Sequence, residues 1–310
     1  MAAEKLRRKS RVLTRTLSIL TSMQVDRMRG KEPLRISYAL VYSYYAKSMG
    51  VEKGSPKEMQ LREVLPQITD FWFAADARLD HDLPGAPEVS DEEALDRNAF
   101  TLRQNSLVPQ ELRERIGVME YLFRENTYRA HVDFVKKFDP RATGFQDVLA
   151  YRDATTGAGA EMIGRVIAAV VDTDADVEPI IFTMRSETMC YQMLDDLIDC
   201  VADSRKGLPN LFNALLLEHD YEARKFWTVS GSDGYLHTRK PYAIVRENCP
   251  DTLSEYMSVF SRMVQGLPAE RGELTKDFLV GAECIGYTPH TSTTATISEI
   301  RKVFRRGTTV

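Results

Sequence analysis

The chain is short of the features that mark membrane-spanning, disulfide-stapled or nucleic-acid-binding proteins. Its 310 residues hold no run of about 18 apolar side chains, the length a helix needs to cross a bilayer. The longest central apolar patch, Val166–Val171, is far shorter. Cysteine is scarce: Cys190, Cys200, Cys249 and Cys284 form no CxxC pair and no metal-ligand spacing. The five histidines are scattered, with no HExxH pairing. Two of them open His-Asp dipeptides, His81-Asp82 and His219-Asp220, which occur in metal phosphohydrolases and also recur easily by chance. Positive charge is not in excess. With 41 Lys and Arg against 45 Asp and Glu the formal charge is −4, so no nucleic-acid partner is expected. Alternating strand patterns and internal repeats are missing, as is any linker long enough to separate domains. The first residues show no secretory pattern, and the expected compartment is reducing and cytoplasmic.

What the chain has is helical periodicity. Apolar residues recur at helical spacing over 3–28, 35–49, 67–83, 92–105, 109–137, 143–171, 178–203, 208–228, 250–266, 268–284 and 291–305. Leu83-Pro-Gly-Ala-Pro87, Asp139-Pro140, Ser230-Gly-Ser-Asp-Gly234 and Cys249-Pro250 supply the breaks. The expected fold is all-α, a single domain over residues 1–310. Both ends are basic. Lys5, Arg7, Arg8, Lys9, Arg11 and Arg15 crowd segment 1–28, and Arg301, Lys302, Arg305 and Arg306 the tail 291–310. Solvated termini explain them most simply; a flap over an anionic substrate, a membrane-surface contact and an organellar targeting segment are the alternatives.

The informative charges are acidic. In Tyr191-Gln-Met-Leu-Asp-Asp-Leu-Ile-Asp-Cys-Val-Ala-Asp203, Asp195, Asp199 and Asp203 stand four residues apart on a segment that reads as helix. They drift by only ~40° per step and so share one face. Like charges stacked this way repel one another unless a cation is present. Mg²⁺ is typically held by one or two carboxylates together with substrate phosphates. A second pair, Asp76 and Asp80, with Asp82 just beyond, lies on a helix expected to start near Pro66 and to stop at Leu83-Pro84. Two such faces set against each other across a bundle would clamp metal between them. An isolated Asp pair at i and i+4 is usually solvated surface; the third carboxylate at i+8 lifts 195–203 above that.

Tyr191-Gln-x-x-Asp195-Asp196-x-x-Asp199 resembles the second aspartate-rich motif of the trans-isoprenyl diphosphate synthases. Asp195, Asp199 and Asp203 also resemble the metal-binding triad of class I terpene cyclases, with Asp in place of the usual Ser/Thr and Glu. The following Arg205-Lys206-Gly207 is similar to the basic turn found there in both groups. Upstream lies Tyr151-Arg152-Asp-Ala-Thr-Thr-Gly157-Ala-Gly159. At about this distance terpene cyclases carry an Arg that grips the diphosphate and a small residue that lets the helix kink. The resemblance gives Arg152 and Gly157 those roles; the plainer alternative for Arg152 is an ion pair with Asp153 or Glu161. Gly30-Lys31-Glu-Pro-Leu-Arg35 faintly resembles the isopentenyl diphosphate segment of chain-elongating enzymes. Their Arg-Arg-Gly and Lys-Thr elements are replaced here by Leu83-Pro84-Gly85 and Arg152-Asp153.

The resemblance is thus to the class I isoprenoid synthase superfamily, whose fold is a helical bundle with a central cavity. It implies a prenyl diphosphate substrate and Mg²⁺ as cofactor, three ions with substrate bound. Asp76, Asp80, Asp195, Asp199 and Asp203 would hold the metal. Arg152, Arg205, Lys206 and, from a closing loop, Arg239, Lys240 and Tyr242 would contact the diphosphate. Tyr38, Tyr42, Tyr45, Phe71 and Phe73 would shield the allylic cation, although aromatics at helical spacing are more often core. The expected reaction is ionisation and cyclisation of a linear prenyl diphosphate. One alternative is a prenyltransferase that joins the chain to isopentenyl diphosphate, another prenyl chain or a non-isoprenoid acceptor, a reading favoured by Gly30-Lys31 and Tyr191-Gln192. The other is a catalytically silent regulatory subunit. A homodimer is a family-level expectation.

Overall fold

The computed structural model describes residues 44–81, 108–172, 176–230, 241–272 and 275–276, less the side chains of 70, 73–78, 80, 81 and 241–243. Every regular element among the described residues is helical, as the periodicity predicts. In order they are α1 (Pro56–His81), α2 (Gln110–Val135), α3 (Phe145–Arg152), a π-helical turn (Asp153–Gly157), α4 (Ala158–Val171), α5 (Glu178–Lys206), α6 (Leu211–Leu216), α7 (Asp220–Ser230), α8 (Pro241–Asn248) and α9 (Pro250–Gln265). The described residues gather into two compact units. The first holds 44–81, 108–138, 150–172 and 176–189; the second holds 139–149, 190–230, 241–272 and 275–276.

In the first unit, α1 begins at Pro56 rather than near Pro66, which lies inside the helix. Ser55-Pro-Lys-Glu58 explains the early start. Ser55 Oγ accepts the Glu58 N–H at 3.2 Å, the Glu58 carboxylate takes the Gly54 N–H, and Pro56 fills the first helical position, where its missing donor costs nothing. A proline within a helix costs about 3 kcal/mol. Burial of Val64, Leu65, Ile68 and Phe71 on either side offsets that, each such side chain contributing roughly 1.5–3 kcal/mol. The run Phe145–Val171 is long and apolar enough to pass for a membrane span, yet 67% of its most apolar window is buried within the protein. Ile163, Val166, Ile167 and Val170 pack there against Ile68, Ile116 and Met184 of the same core. It has the composition of a core helix. Its glycines let the neighbours come close: a Cβ on Gly159 would lie 2.9 Å from the Trp72 indole, and one on Gly164 3.1 Å from Ile181 and Met184.

The second unit is organised around Tyr256 of α9, which is fully buried. Its hydroxyl donates to the Met193 carbonyl at 2.8 Å, and its ring meets Phe212 and Phe145 edge-on. The single helix expected over 208–228 is broken into α6 and α7. Leu211, Phe212, Ala214, Leu215 and Leu216 are buried on nearly all sides, whereas α7 buries only Glu222, Ala223, Phe226 and Ser230 along one face. Between them the chain turns at 217–219, where the Glu218 N–H bonds to the Leu215 carbonyl and the His219 N–H to the Leu216 carbonyl, both at 3.0 Å. Helix α8 occupies a stretch expected to be loop. Its core contacts, Ile244, Val245 and Asn248, span too few residues for a 3.6 period to declare itself.

Helix α9 is capped from outside. Cys249, at its N-cap, supplies no side-chain bond. Glu222 of α7 instead accepts the Asp251 N–H at 3.0 Å, the Thr252 N–H at 2.9 Å and the Thr252 hydroxyl at 2.6 Å. Burial pushes the Glu222 carboxyl up, and these three donors outweigh it, leaving it below the ordinary carboxylate value. A carboxyl depressed in the fold contributes stability above its unfolded pKa and loses it as pH falls through the folded one. Glu222→Gln is therefore expected to unfold at a lower temperature at pH 7 and to show a shallower loss of stability below about pH 4.3. Thermal unfolding followed across that range checks it; equal midpoints at pH 7 would remove the capping role.

Candidate functional site

Helix α5 runs unbroken to Lys206, so Asp195, Asp199 and Asp203 do stand at i, i+4 and i+8 of one element. Gly207, at φ +67°, ends it by taking the left-handed conformation that glycine adopts without strain. The Leu208 N–H then bonds back to the Asp203 carbonyl at 2.9 Å, closing the last turn. Asp195 is exposed, Asp199 and Asp203 are half-buried, and Asp196 is buried at 1% exposure. Burial pushes the Asp199 carboxyl up, the Asp196 charge adds to this, and Lys206 opposes it. Asp203 accepts from Asn210 Nδ2 at 2.7 Å.

At this end of α5, Asp196 and Asn210 have roles that the sequence alone does not reveal. Asp196 accepts the Leu211 N–H at 2.7 Å and Gln192 Nε2 at 2.7 Å. Asn210 Nδ2 donates to the Asp196 carbonyl at 2.7 Å, while its Oδ1 caps α6 by accepting the Asn213 N–H at 3.0 Å. The adjacent aspartates thus do different things: Asp195 faces outward, and Asp196 fastens the turn after α5 to the helix. A signal is present, because Asp196 falls in the buried stripe Met193, Leu197, Cys200, where an acid needs partners. Arg205 Nε donates to the Ser230 carbonyl at the end of α7, 2.7 Å away, and Lys206 is exposed.

Arg152 closes α3 in the first unit, and the π-helical turn follows directly. The Ala158 N–H reaches back five residues to the Asp153 carbonyl. Thr155 Oγ1 donates to the Tyr151 carbonyl at 2.9 Å, a back-bond of the kind that bends helices. The small residue expected to permit a kink, Gly157, ends this turn. A Cβ there would sit 2.7 Å from Asp153 Oδ1. Asp153 and Glu161, the candidate partners of Arg152, both pair with Arg185 of α5. Its Nε and Nη2 hold the two Asp153 oxygens at 2.8 and 2.6 Å, and Nη1 holds Glu161 at 2.6 Å. Arg165 shares Glu161 at 2.8 Å and reaches Glu178 at 3.0 Å. Burial pushes the Glu161 carboxyl up, but Arg165 and Arg185 together hold it below the ordinary value.

Tyr151 gives Arg152 a surface to lie against. The guanidinium carbon is 5.9 Å from the Tyr151 ring centre. The ring stacks on Phe134 at 4.0 Å, and its hydroxyl lies 3.1 Å from Nδ1 of the fully buried His131.

Asp76 and Asp80 lie on α1, as their spacing predicts, while their side chains and that of Phe73 lie outside the described ones. Tyr242 is on α8 rather than in a loop, with its side chain likewise outside. Tyr38, Tyr42, Asp82, Arg239, Lys240, the 30–35 segment and both basic ends lie outside the described residues. Tyr45 and Phe71 are core, at 3% and 1% exposure, and the Tyr45 hydroxyl donates to the buried Glu187. His219 Nε2 lies 3.0 Å from Glu255. Among the described residues no group of three or more His, Cys, Asp or Glu stands together to hold a metal ion. No family model, curated protein or solved structure matches this chain.

Proposed function

We propose that the protein is a Mg²⁺-dependent class I terpene synthase that ionises a linear prenyl diphosphate and cyclises the resulting allylic cation. The observation that carries this reading is the acidic face of α5: carboxylates at i, i+4 and i+8 of one unbroken helix, with the fourth, Asp196, turned inward. The donors are all carboxylate oxygens, the ligand type a hard cation takes, and burial and the Asp196 charge raise the Asp199 carboxyl above its ordinary value, a cost that a bound cation would offset. Asp195 and Asp199 would hold Mg²⁺, with Asp203 shared with Asn210. The described carboxylates do not by themselves close around an ion, and diphosphate oxygens would complete the shell, the usual arrangement for this metal. The ion, when bound, neutralises charge that develops on the leaving diphosphate.

The resemblance assigns Arg152 to the diphosphate as well, and the Tyr151 ring limits where its fork can lie. Lys206 adds positive charge from the exposed end of α5. Arg205 has the Ser230 carbonyl to serve, so its role on substrate is secondary to Lys206. The resemblance adds Asp76, Asp80, Arg239, Lys240 and Tyr242 to the same reaction. As the C–O bond breaks, its electron pair leaves with the diphosphate; an alkene of the same chain attacks the cation, and a proton is lost or water is captured. Gln192, one of the residues that favours a prenyltransferase, donates to Asp196 and so has an architectural use.

The test is incubation of the purified protein with Mg²⁺ and C10, C15, C20 and C25 prenyl diphosphates, singly and then in pairs, with gas chromatography–mass spectrometry of the extracts. A cyclic hydrocarbon or alcohol from one substrate alone is expected, lost on chelation and restored by Mg²⁺. A longer or conjugated chain formed only from a pair would hand the protein to the transferases. No product under any condition would leave the regulatory subunit.

A further inference from the structure

We propose that Arg185 is a positioning residue that selects the π-helical winding beside Arg152, and that glycine at 157 is what leaves room for it to do so. A π turn is a rare alternative to the α-helix and needs something to hold it. Asp153-Ala-Thr-Thr-Gly157 is weak helix sequence, with two β-branched residues and a glycine. Weak propensity permits the turn without choosing it.

The choice lies with one guanidinium. Arg185 grips Asp153, the first residue of the turn, through two bonds of 2.8 and 2.6 Å, and Glu161, beyond its far end, through a third of 2.6 Å. On a regular α-helix, residues 153 and 161 would point ~80° apart around the axis. The slower winding of a π turn reduces that angle and brings both carboxylates to the same fork. All three bonds therefore belong to the π form. A methyl at 157 would lie 2.7 Å from Asp153 Oδ1 and 3.4 Å from the Arg185 side chain, displacing the carboxylate from the fork. Arg152 immediately precedes the turn, so its winding fixes the direction of the Arg152 side chain relative to α4. Isolated exposed ion pairs do little; a bidentate Arg–carboxylate pair inside a network is the exception.

The catalytic consequence rests on the terpene synthase reading, and the mechanical one does not. Amide hydrogen exchange and steady-state kinetics on the full chain separate them, using Arg185→Gln, Arg185→Lys and Gly157→Ala. In Arg185→Gln, exchange at residues 153–158 is expected to quicken by about 10-fold or more, with α2 and α9 unchanged. Gly157→Ala, which crowds Asp153 out of the fork, should quicken the same amides. The kcat of Arg185→Gln is expected to fall by about 100-fold while KM moves little, because misplacement costs turnover more than binding. Arg185→Lys keeps a charge and loses the fork, so it should recover the unfolding midpoint without recovering kcat. A merely structural arginine would lose kcat only in step with stability and be rescued by lysine, which overturns the proposal. Unchanged exchange at 153–158 in Arg185→Gln overturns it as well. If the wild-type protein turns over no prenyl diphosphate, the terpene synthase reading fails, and the exchange result alone decides the clamp.

Discussion

Asp195→Ala is expected to fold like the wild type and to lose turnover by about 100- to 1,000-fold, the scale of removing one transition-state electrostatic contact. Asp195 is exposed, so shortening its side chain takes little from the packing of α5. Asp199 makes the same point with a sign that can be checked. Burial first, and the Asp196 charge second, raise its carboxyl above the ordinary value. An acid raised in the fold costs stability once pH exceeds its unfolded pKa, and the cost vanishes below it. Asp199→Asn removes that cost, so without Mg²⁺ it should unfold at a higher temperature than the wild type at pH 7. The gap should close below about pH 4. Added Mg²⁺ and inorganic pyrophosphate should stabilise the wild type and not the variant. Thermal unfolding with and without these additions, beside the product assay, reads all of this. A fully active Asp195→Ala would end the metal role of this face.

One residue further on, the consequence reverses. Asp196→Ala is expected to cost about 3 kcal/mol of stability whether or not metal is present, from two hydrogen bonds to a buried charged acceptor. The change leaves the Leu211 N–H without its acceptor at the start of α6 and loosens Gln192 and the turn at Asn210. Urea unfolding should show a lower midpoint with an unchanged slope. Asp196→Asn, which keeps an acceptor oxygen, should recover some of the loss. If Asp196→Ala melts like the wild type, the turn after α5 is held by something else.

These neighbouring aspartates show what the sequence makes legible. The spacing of 195, 199 and 203 depends only on the helical repeat, and α5 preserves it. Which of two adjacent acids faces inward depends on the stripe Met193, Leu197, Cys200, a clue that the acidic pattern outweighs. Helices α2, α5 and α9 and the run from α3 to α4 are readable because each carries an apolar stripe several turns long. Helix α8 has too few turns for that, and the start of α1 is hidden because Pro66 is a stronger breaker on paper than inside a packed core. Arg185 leaves no local trace at all: its partners lie 32 and 24 residues away in the chain. Proximity along the chain points Asp153 and Glu161 at Arg152, and only folding brings the right arginine to them.

The close approaches along residues 157–164 bear on how this protein can be altered. Exchanging glycine for alanine is a standard way to stiffen helices, because alanine is the best helix former and glycine is about 1 kcal/mol worse. Here the added methyl would strike Asp153, the Trp72 ring or the Ile181–Met184 pair, depending on the position. The tract selects for absence of volume and is indifferent to helix propensity. Evolutionary drift and directed stabilisation alike must therefore work around it, on surfaces such as the outward side of α2, where Val118, Tyr121 and Leu122 are exposed to solvent.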